Sequence, residues 1–250
     1  MTADPITLDA PADTRVPDTT ASDPTASDPA ASDPTLDELR LQLAPAIASN
    51  AAFDGWSEAA LAMAAEGDGV DPDIAALAFC DDRGVSAVEM IDAWFATIDM
   101  RMAEMLPPET LATMKIRARI AALVEARLTV LAPDREALRR ALTILAMPQN
   151  VARAAKLGWR SVDAIWRLAG DTATDYNHYT KRTILLGVYG ATVTIFLNDD
   201  SEGHADTRAF LDRRIDGIMR FEKAKAGFLK RTEHRPSLSR FIGRLRYPAV

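Results

Sequence analysis

The chain has 250 residues, of which 48% are hydrophobic and 26% charged, which is enough apolar content for one domain of ordinary size. It contains no run of about 20 consecutive apolar residues, so we do not expect a transmembrane helix. The one cysteine, Cys80, excludes an internal disulfide and a cysteine-based metal site, and a reducing cytoplasm fits this usage. We expect Cys80 to be a small buried hydrophobe beside Phe79.

The formal net charge of −7 is unevenly distributed along the chain. Residues 1–35 hold seven Asp and one Arg, and residues 36–83 hold ten acidic and two basic side chains. Residues 84–219 hold equal numbers of acidic and basic side chains, whereas residues 220–250 hold nine Lys or Arg and two Glu. A basic C-terminus on an acidic protein indicates a local anionic partner.

Residues 1–35 are of low complexity, with Ala-Ser-Asp-Pro repeated at 21–24, 26–29 and 31–34. Frequent Pro and few large apolar residues predict a disordered acidic arm. The arm lacks the apolar core of a signal peptide, and it is acidic where a mitochondrial transit peptide would be rich in Arg. We therefore expect a protein of the bacterial cytoplasm.

Residues 36–83 are predicted to form three short helices at about 36–48, 57–66 and 71–79, with tight turns between them. Their sizes match a helix-turn-helix unit, as in a ligand-sensing TetR-type transcriptional regulator. DNA binding requires Lys and Arg to neutralise phosphates, however, and this region is strongly acidic. We expect a three-helix unit that does not bind nucleic acid.

From Leu36 onward, and through a larger helical domain at 84–231, apolar residues recur at helical spacing between Gly and Pro breakers, for example at Val88, Ile91, Phe95, Ile98 and Met102, and no segment alternates as a strand. The pattern predicts an all-α fold of about nine helices. The predicted helix at 176–198 is apolar or small on nearly every face, and a helix at 206–230 follows it. These two helices are equally consistent with a dimer seam and with one large monomeric core. Helix caps are expected where a polar residue precedes an apolar run, at Thr35, Asp134, Thr174 and Asp206.

No catalytic constellation stands out in the sequence. The three histidines, His178, His204 and His234, are scattered and form no metal-binding pair on a helix. There is no Gly-rich phosphate loop and no Gly-x-Ser-x-Gly elbow. The acidic cluster from Asp171 to Asp175 follows Gly170 and precedes a long helix, so helix capping explains it better than general-acid chemistry. We expect no catalytic residue, no metal and no cofactor.

Residues 163–182 read DAIWRLAGDTATDYNHYTKR. This segment resembles the signature of the coenzyme Q biosynthesis accessory family, the ninth member of the yeast Coq series, whose pattern is Asp-x-x-Trp, Ala-Gly-Asp and Thr-Asp-Phe-Asn-Trp-Tyr-Thr-Arg-Arg. Agreement continues at Gly55-Trp56, at Leu142 to Asn150 and at 210–214, so the resemblance spans roughly 36–230. His178 departs from the pattern, because the family has Trp there.

The resemblance implies a fold like that of TetR regulators, as a homodimer that has lost DNA binding. It also implies an accessory role rather than an enzymatic one: the family binds isoprenoid lipids or ubiquinone precursors and presents them to the di-iron demethoxyubiquinone hydroxylase. Transferred to this sequence, the residues expected to face the hydroxylase are Asp163, Ile165, His178, Tyr179 and Arg182. The residues expected to contact lipid are Trp166, Leu185, Leu186, Tyr189, Leu145 and Met147. Plain core packing explains the lipid set equally well.

The last predicted segment, 232–250, is a basic tail. Its apolar residues fall at i, i+3, i+4 and i+7, which is typical of a short amphipathic helix that lies in a lipid interface. The residues expected to contact the membrane are Leu238, Arg240, Phe241, Ile242, Arg244 and Leu245. The alternative is that this tail docks on its own domain. The sequence thus predicts a peripheral protein of the bacterial inner membrane, and its rivals are a TetR-type regulator and an enzyme of the same pathway.

Overall fold

The structure is a computed structural model, and it describes residues 34–172, 174 and 176–218. The predictions made for the acidic arm before Pro34 and for the basic tail at 232–250 lie outside the described residues. Everything described from Thr35 onward belongs to one compact unit.

The described chain is built from helices joined by short turns. They are α1 (Leu36–Asp54), α2 (Glu58–Gly67), α3 (Pro72–Ala78), α4 (Ala87–Met105), α5 (Pro108–Ala112), α6 (Ile116–Leu131), α7 (Arg135–Leu145), α8 (Val151–Leu168), α9 (Tyr176–Phe196) and α10, whose described part is 205–218. Single 3-10 turns lie at Ala132–Asp134, Pro148–Asn150 and Glu202–His204. The predicted all-α class is confirmed.

The local sequence determines where helix α1 begins. Thr35 forms a capping box with Glu38, in which the Thr35 side chain accepts from the Glu38 N–H and the Glu38 carboxylate accepts from the Thr35 N–H. The helix continues past the predicted end at 48 to Asp54, because Ile47 and Ala51 keep the buried face in register. The predicted cap at Thr35 is confirmed.

Two other predicted caps are wrong. Asp134 makes no capping hydrogen bond at the start of α7 and instead accepts from the hydroxyl of Ser49. Asp206 lies inside α10, where its N–H donates to the Ser201 Oγ at 3.1 Å. A 3-10 turn precedes each helix and moves the capping position away from the residue that the apolar pattern indicates.

A two-residue antiparallel hairpin follows α3, with β1 (Cys80–Asp81) paired to β2 (Gly84–Val85). The period-2 pattern could not predict it, because each strand is too short to alternate. The prediction that Cys80 is buried is wrong: the thiol is exposed and Phe79 alone occupies the interior. The cause is the hairpin, which begins at Cys80 and turns its side chain outward.

Helix α4 lies at the centre of the fold and packs against α1, α6, α7 and α8. Its predicted apolar stripe is buried at Ile91, Phe95, Ile98 and Met102 and half-buried at Val88. Helix α9 packs on α8 and also contacts α6. The pairing of α8 with α9 positions the residues 163–182 that the sequence singled out.

Candidate functional site

The candidate site is the corner where α8 ends and α9 begins. Gly170 has φ +89°, a conformation that favours glycine, and its N–H donates to the Arg167 carbonyl at 2.9 Å. The N–H of Asp171 donates to the Trp166 carbonyl at 3.0 Å, so the helix ends in a Schellman motif. The predicted stop at Gly170 is therefore confirmed, and the chain reverses there so that α9 lies against α8.

Ion pairs to two largely buried carboxylates hold the two helices together at this corner. The Arg182 side chain is 2% exposed; its Nε lies 2.5 Å from the Asp163 Oδ1 and its Nη1 lies 3.1 Å from the Asp171 Oδ2. Nζ of Lys181 lies 2.7 Å from the Asp171 Oδ1. We call Asp163, Asp171, Lys181 and Arg182 the corner frame. The Asp171 carboxylate thus has an ion-pairing role that the capping prediction did not include.

Trp166 completes the frame from the α8 side. Its Nε1 donates to the Lys181 carbonyl at 3.3 Å, and the Lys181 ammonium lies 5.4 Å from the centre of its ring. A cation at that distance from an indole is attracted by the negative face of the ring. The orientation of α9 on α8 is therefore determined by both charge and an aromatic contact.

Three aromatic rings cluster on the corner frame. The ring centres of Trp159 and Tyr179 are 6.1 Å apart, those of Trp159 and His178 are 6.5 Å apart, and those of His178 and Tyr179 are 5.1 Å apart. Tyr179 is 61% exposed, whereas the other two rings are half-buried. We call these three residues the corner patch. Trp159 was not among the predicted site residues, although its position four residues before Asp163 on α8 predicts the same helix face.

An open groove of about 380 Å³ lies beside the corner patch. It is lined by Arg167, Asp171, Thr172, Thr174, His178, Tyr179 and Arg182. The Arg167 side chain is 74% exposed and its Nε lies 2.7 Å from the Asp163 Oδ2. The groove therefore combines an exposed cation with an aromatic rim, which are the side-chain types enriched at protein interfaces.

The structure separates the five residues predicted to face a partner. Ile165 is fully buried, Arg182 is 1% exposed, and the Asp163 side chain is 16% exposed, so these three support the corner from beneath. Tyr179 and His178 reach the surface. In this chain Ile165 and Arg182 are inaccessible to a partner, because Ile165 belongs to the apolar core and Arg182 is paired to two carboxylates.

The residues predicted to contact lipid also differ in how deeply they are buried. Leu145 and Leu185 are buried in the core, and Trp166, Leu186 and Tyr189 are partly buried and pack against it. Met147 is 41% exposed, because it follows the end of α7 and precedes the 3-10 turn at Pro148–Asn150. The chain packs closely where α8 crosses α9, since a Cβ added at Gly158 would lie 2.9 Å from the Leu186 Cδ1.

Tyr189 joins an interior polar cluster that the sequence analysis did not predict. The Arg127 side chain is 1% exposed, pairs with Asp99, and donates to the Tyr189 hydroxyl at 2.8 Å and to the Ser161 hydroxyl at 2.9 Å. Arg127 also lies over the rings of Phe95 and Tyr189. A buried guanidinium with these partners is satisfied, and it connects α4, α6, α8 and α9.

Within 34–172, 174 and 176–218, no group of three or more His, Cys, Asp or Glu side chains could hold a metal ion. In the same part of the chain, no helix combines the length and apolar character needed to cross a membrane. The residues predicted to contact a membrane, 238 to 245, lie outside the described residues.

Comparison with known proteins confirms the predicted family resemblance. The COQ9 family model matches residues 151–222. The rat ubiquinone biosynthesis protein COQ9, mitochondrial, is 44% identical over 96 residues, which are 38% of this chain and 31% of that protein. COQ9-A of Xenopus laevis is 34% identical over 172 residues, which are 66% of this chain and 53% of that protein. The chain spans about half the length, or less, of these relatives.

The fold is also that of a TetR regulator, as predicted. A solved structure titled as the TetR transcriptional regulator from Nitrosomonas europaea matches with a TM-score of 0.57 and 25% sequence identity. The match covers 71% of this chain and 96% of that one.

Proposed function

We propose that this chain is a non-enzymatic accessory protein of ubiquinone biosynthesis that binds an isoprenoid lipid or quinone precursor and presents it to a membrane-associated di-iron hydroxylase. The names of its relatives support the pathway, and the family model covers α8, α9 and α10, which include the corner patch. The proposed location is the cytoplasmic face of a bacterial inner membrane.

The observation that carries the proposal is the corner patch on its buried frame. Tyr179 is 61% exposed, yet its ring lies against Trp159 and edge-on to His178, on helices held by Arg182. Exposed aromatic side chains with little freedom to rearrange lose little conformational entropy on binding. Interface hot spots are enriched in Trp, Tyr and Arg, which are the residues at this corner.

The test is the affinity for the purified hydroxylase from the same organism, measured by biolayer interferometry with the full chain. Tyr179→Ala is expected to weaken binding at least about tenfold, which corresponds to about 1.4 kcal/mol. Met105→Ala, which truncates a side chain that is 48% exposed on α4, is the control and is expected to change nothing. Equal affinities of the Tyr179→Ala variant and the unaltered chain would contradict the proposal.

A substitution at His178 is expected to raise the affinity for the hydroxylase in the same assay. The family resemblance places Trp at this position, and an imidazole covers less apolar area than an indole. His178→Trp is therefore expected to strengthen binding to a hydroxylase, since its half-buried ring already lies at the rim of the groove. A loss of affinity would mean that the partner surface has changed to suit the imidazole.

We propose that the lipid lies on the surface that α8 and α9 form together, outside their close contact at Gly158 and Leu186. Partial burial of Trp166, Leu186 and Tyr189 supports this location, because apolar side chains that are neither fully packed nor fully exposed suit an apolar ligand. Mass spectrometry of lipids extracted from the purified protein is the test, with Leu186→Asp as the variant expected to lose the lipid. Recovery of no isoprenoid or other lipid from the unaltered chain would contradict this part of the proposal.

The basic tail is proposed to contact the membrane. Its apolar residues at i, i+3, i+4 and i+7, with Arg between them, support attachment to an anionic leaflet, where each basic residue contributes on the order of 1 kcal/mol. The test is flotation with phosphatidylglycerol vesicles at low and high salt. Binding that survives deletion of residues 236–250 would contradict the proposal.

We propose that the chain is a homodimer through α9 and α10. Helix α9 exposes an uncharged stripe at Thr183, Gly187, Gly190 and Thr194, and a Cβ added at either glycine would meet nothing within 4 Å. An exposed glycine lowers the stability of a helix and permits the close approach of another helix. The stripe is therefore suited to the interface between two copies of this chain.

The alternative function is a ligand-sensing regulator, which the TetR structural neighbour supports. In that alternative α3 would enter the major groove of DNA, yet Asp73 is exposed on α3 and Asp71 caps it. Gel retardation with genomic DNA fragments at moderate salt separates the two functions. Specific retention would favour the regulator and would contradict the accessory role.

A further inference from the structure

Helix α3 and the hairpin after it present an apolar surface surrounded by carboxylates. Ile74 is 48% exposed and Leu77 is 64% exposed, and their spacing of three residues places them on one helix face. Asp73, next to Ile74 on α3, and Asp81 and Asp82 in the hairpin that follows α3 are also exposed. We call these five residues the acidic face.

Acidic side chains dominate the charge of this region. The Asp81 carboxylate accepts from the Arg83 N–H at 2.8 Å, and this hydrogen bond holds the pKa of Asp81 below its ordinary value. From residue 66 to 83 the exposed acidic and basic side chains are Glu66, Asp68, Asp71, Asp73, Asp81, Asp82 and Arg83. Six negative charges against one positive charge attract a basic ligand.

Exposed apolar residues elsewhere have fewer carboxylates next to them in the sequence. Ile116 is flanked by Lys115 and Arg117, and Phe53 has one adjacent acidic residue, Asp54. The acidic face differs from these sites because it combines two exposed apolar residues on one helix face with three exposed carboxylates.

We propose that the basic tail of this same chain, residues 236–246, docks on the acidic face. Its apolar positions Leu238, Phe241, Ile242 and Leu245 match the exposed Ile74 and Leu77, and its three arginines match the carboxylates. The segment 236–246 contains Arg240, Arg244 and Arg246 and no acidic residue. The complementarity therefore has an apolar component and an electrostatic one.

The length of the intervening chain permits this contact. Residues 219–237 connect the last described residue of α10 to the tail. With the helix predicted to end at 230, residues 219–230 add about 18 Å and residues 231–237 can add up to roughly 23–25 Å. A domain of roughly 180 residues has a radius of gyration of about 16 Å. A connection of this length lets the tail fold back onto its own domain.

Docking would also regulate the protein. The residues that contact the acidic face are those proposed to enter the membrane, so an anionic leaflet and the acidic face would compete for one segment. This consequence rests on the membrane contact in the proposed function, whereas the docking itself does not.

The native Cys80 provides the test, because it is the chain's one cysteine, it is exposed, and it lies two residues after the end of α3. The full-length protein is labelled at Cys80 with benzophenone maleimide, irradiated without lipid, and digested for mass spectrometry. We expect cross-links from Cys80 to residues 236–246. A mixture of isotopically light and heavy protein distinguishes links within one chain from links between chains.

Two variants and their controls make the test decisive. Leu77→Ser, and separately Arg240→Glu with Arg244→Glu and Arg246→Glu, are each expected to reduce the tail cross-links severalfold. Met105→Ser matches the first as an exposed apolar truncation elsewhere. Lys223→Glu with Lys225→Glu and Lys230→Glu matches the second in charge.

Three outcomes would overturn the docking proposal. They are an absence of tail cross-links, tail cross-links that join light and heavy copies, and cross-links that persist in both variants. The reactions contain no lipid and no hydroxylase, so none of these outcomes bears on vesicle flotation or on the hydroxylase affinity. A failure of docking is therefore distinguishable from a failure of the proposed function.

Discussion

Nε of Arg182 on α9 lies 2.5 Å from Oδ1 of Asp163 on α8, and both side chains are largely withdrawn from water. The pair connects residues 19 positions apart across the reversal at Gly170. Because the corner patch lies on the same two helices, this ion pair determines the position of the residues proposed to bind the hydroxylase.

Arg182→Met is expected to lower the free energy of unfolding by about 2 kcal/mol, because Asp163 and Asp171 lose the buried cation that they share and keep only the more exposed Arg167 and Lys181. Urea unfolding followed by circular dichroism measures the change. The matched control is Arg167→Met, whose 74% exposed side chain also pairs with Asp163 and whose loss is expected to cost less than about 1 kcal/mol. Equal costs in the two variants would show that the corner frame does not depend on buried charge.

Tyr189→Phe removes the hydroxyl that accepts from Nε of the buried Arg127. A buried donor left without an acceptor costs about 1–3 kcal/mol, so the midpoint of urea unfolding is expected to fall accordingly. Tyr179→Phe, at the exposed ring, is the control and is expected to stay within about 0.5 kcal/mol of the unaltered chain. An unchanged midpoint for Tyr189→Phe would indicate that the side chains around Arg127 rearrange so that its Nε donates to another acceptor.

Asp199 precedes α10 and is 4% exposed. Burial would by itself raise its pKa, but hydrogen bonds from the side chains and backbone N–H groups of Ser201 and Thr207 hold the pKa of Asp199 well below its ordinary value. The folded protein therefore prefers the ionised form. The resulting stability is fully present above the unfolded-state pKa of about 3.9 and is lost as the pH falls through the folded-state pKa.

Asp199→Asn is consequently expected to be less stable than the unaltered chain at pH 7, and the difference is expected to shrink as the pH falls below about 4. Thermal unfolding at a series of pH values measures this convergence. Asp200→Asn is the neighbouring control, because the Asp200 side chain is 94% exposed. A difference that stays constant with pH would mean that the carboxylate charge of Asp199 contributes nothing.

Gly190→Glu tests the proposed dimer seam. In the single chain a Cβ at this position meets nothing within 4 Å, so the substitution leaves the fold intact and places a charge on the uncharged stripe of α9. Sedimentation velocity is expected to show dimers for the unaltered chain and monomers for the variant. Gly67→Glu, at the end of α2, also has open space and is expected to remain dimeric. A monomeric unaltered chain would contradict the seam.

The sequence alone determined the features that depend on neighbouring residues. The all-α class, the capping box at Thr35, the stop at Gly170 and the buried stripe on α4 all follow from periodicity and local hydrogen bonding. The family resemblance is likewise a property of the residues in order, and residues 151–222 confirm it.

Only the tertiary structure decided which of those residues are accessible and what they contact. Arg182 and Tyr179 are three positions apart, yet one is 1% exposed and the other 61% exposed. No local pattern distinguishes them, because the difference arises from the carboxylates that α8 places beside α9. The same holds for Arg127, which reads as an ordinary charged residue and becomes a buried junction of four helices through contacts with residues 28 to 62 positions away. Helical periodicity is a one-dimensional signal, whereas burial and ion pairing depend on where distant segments meet.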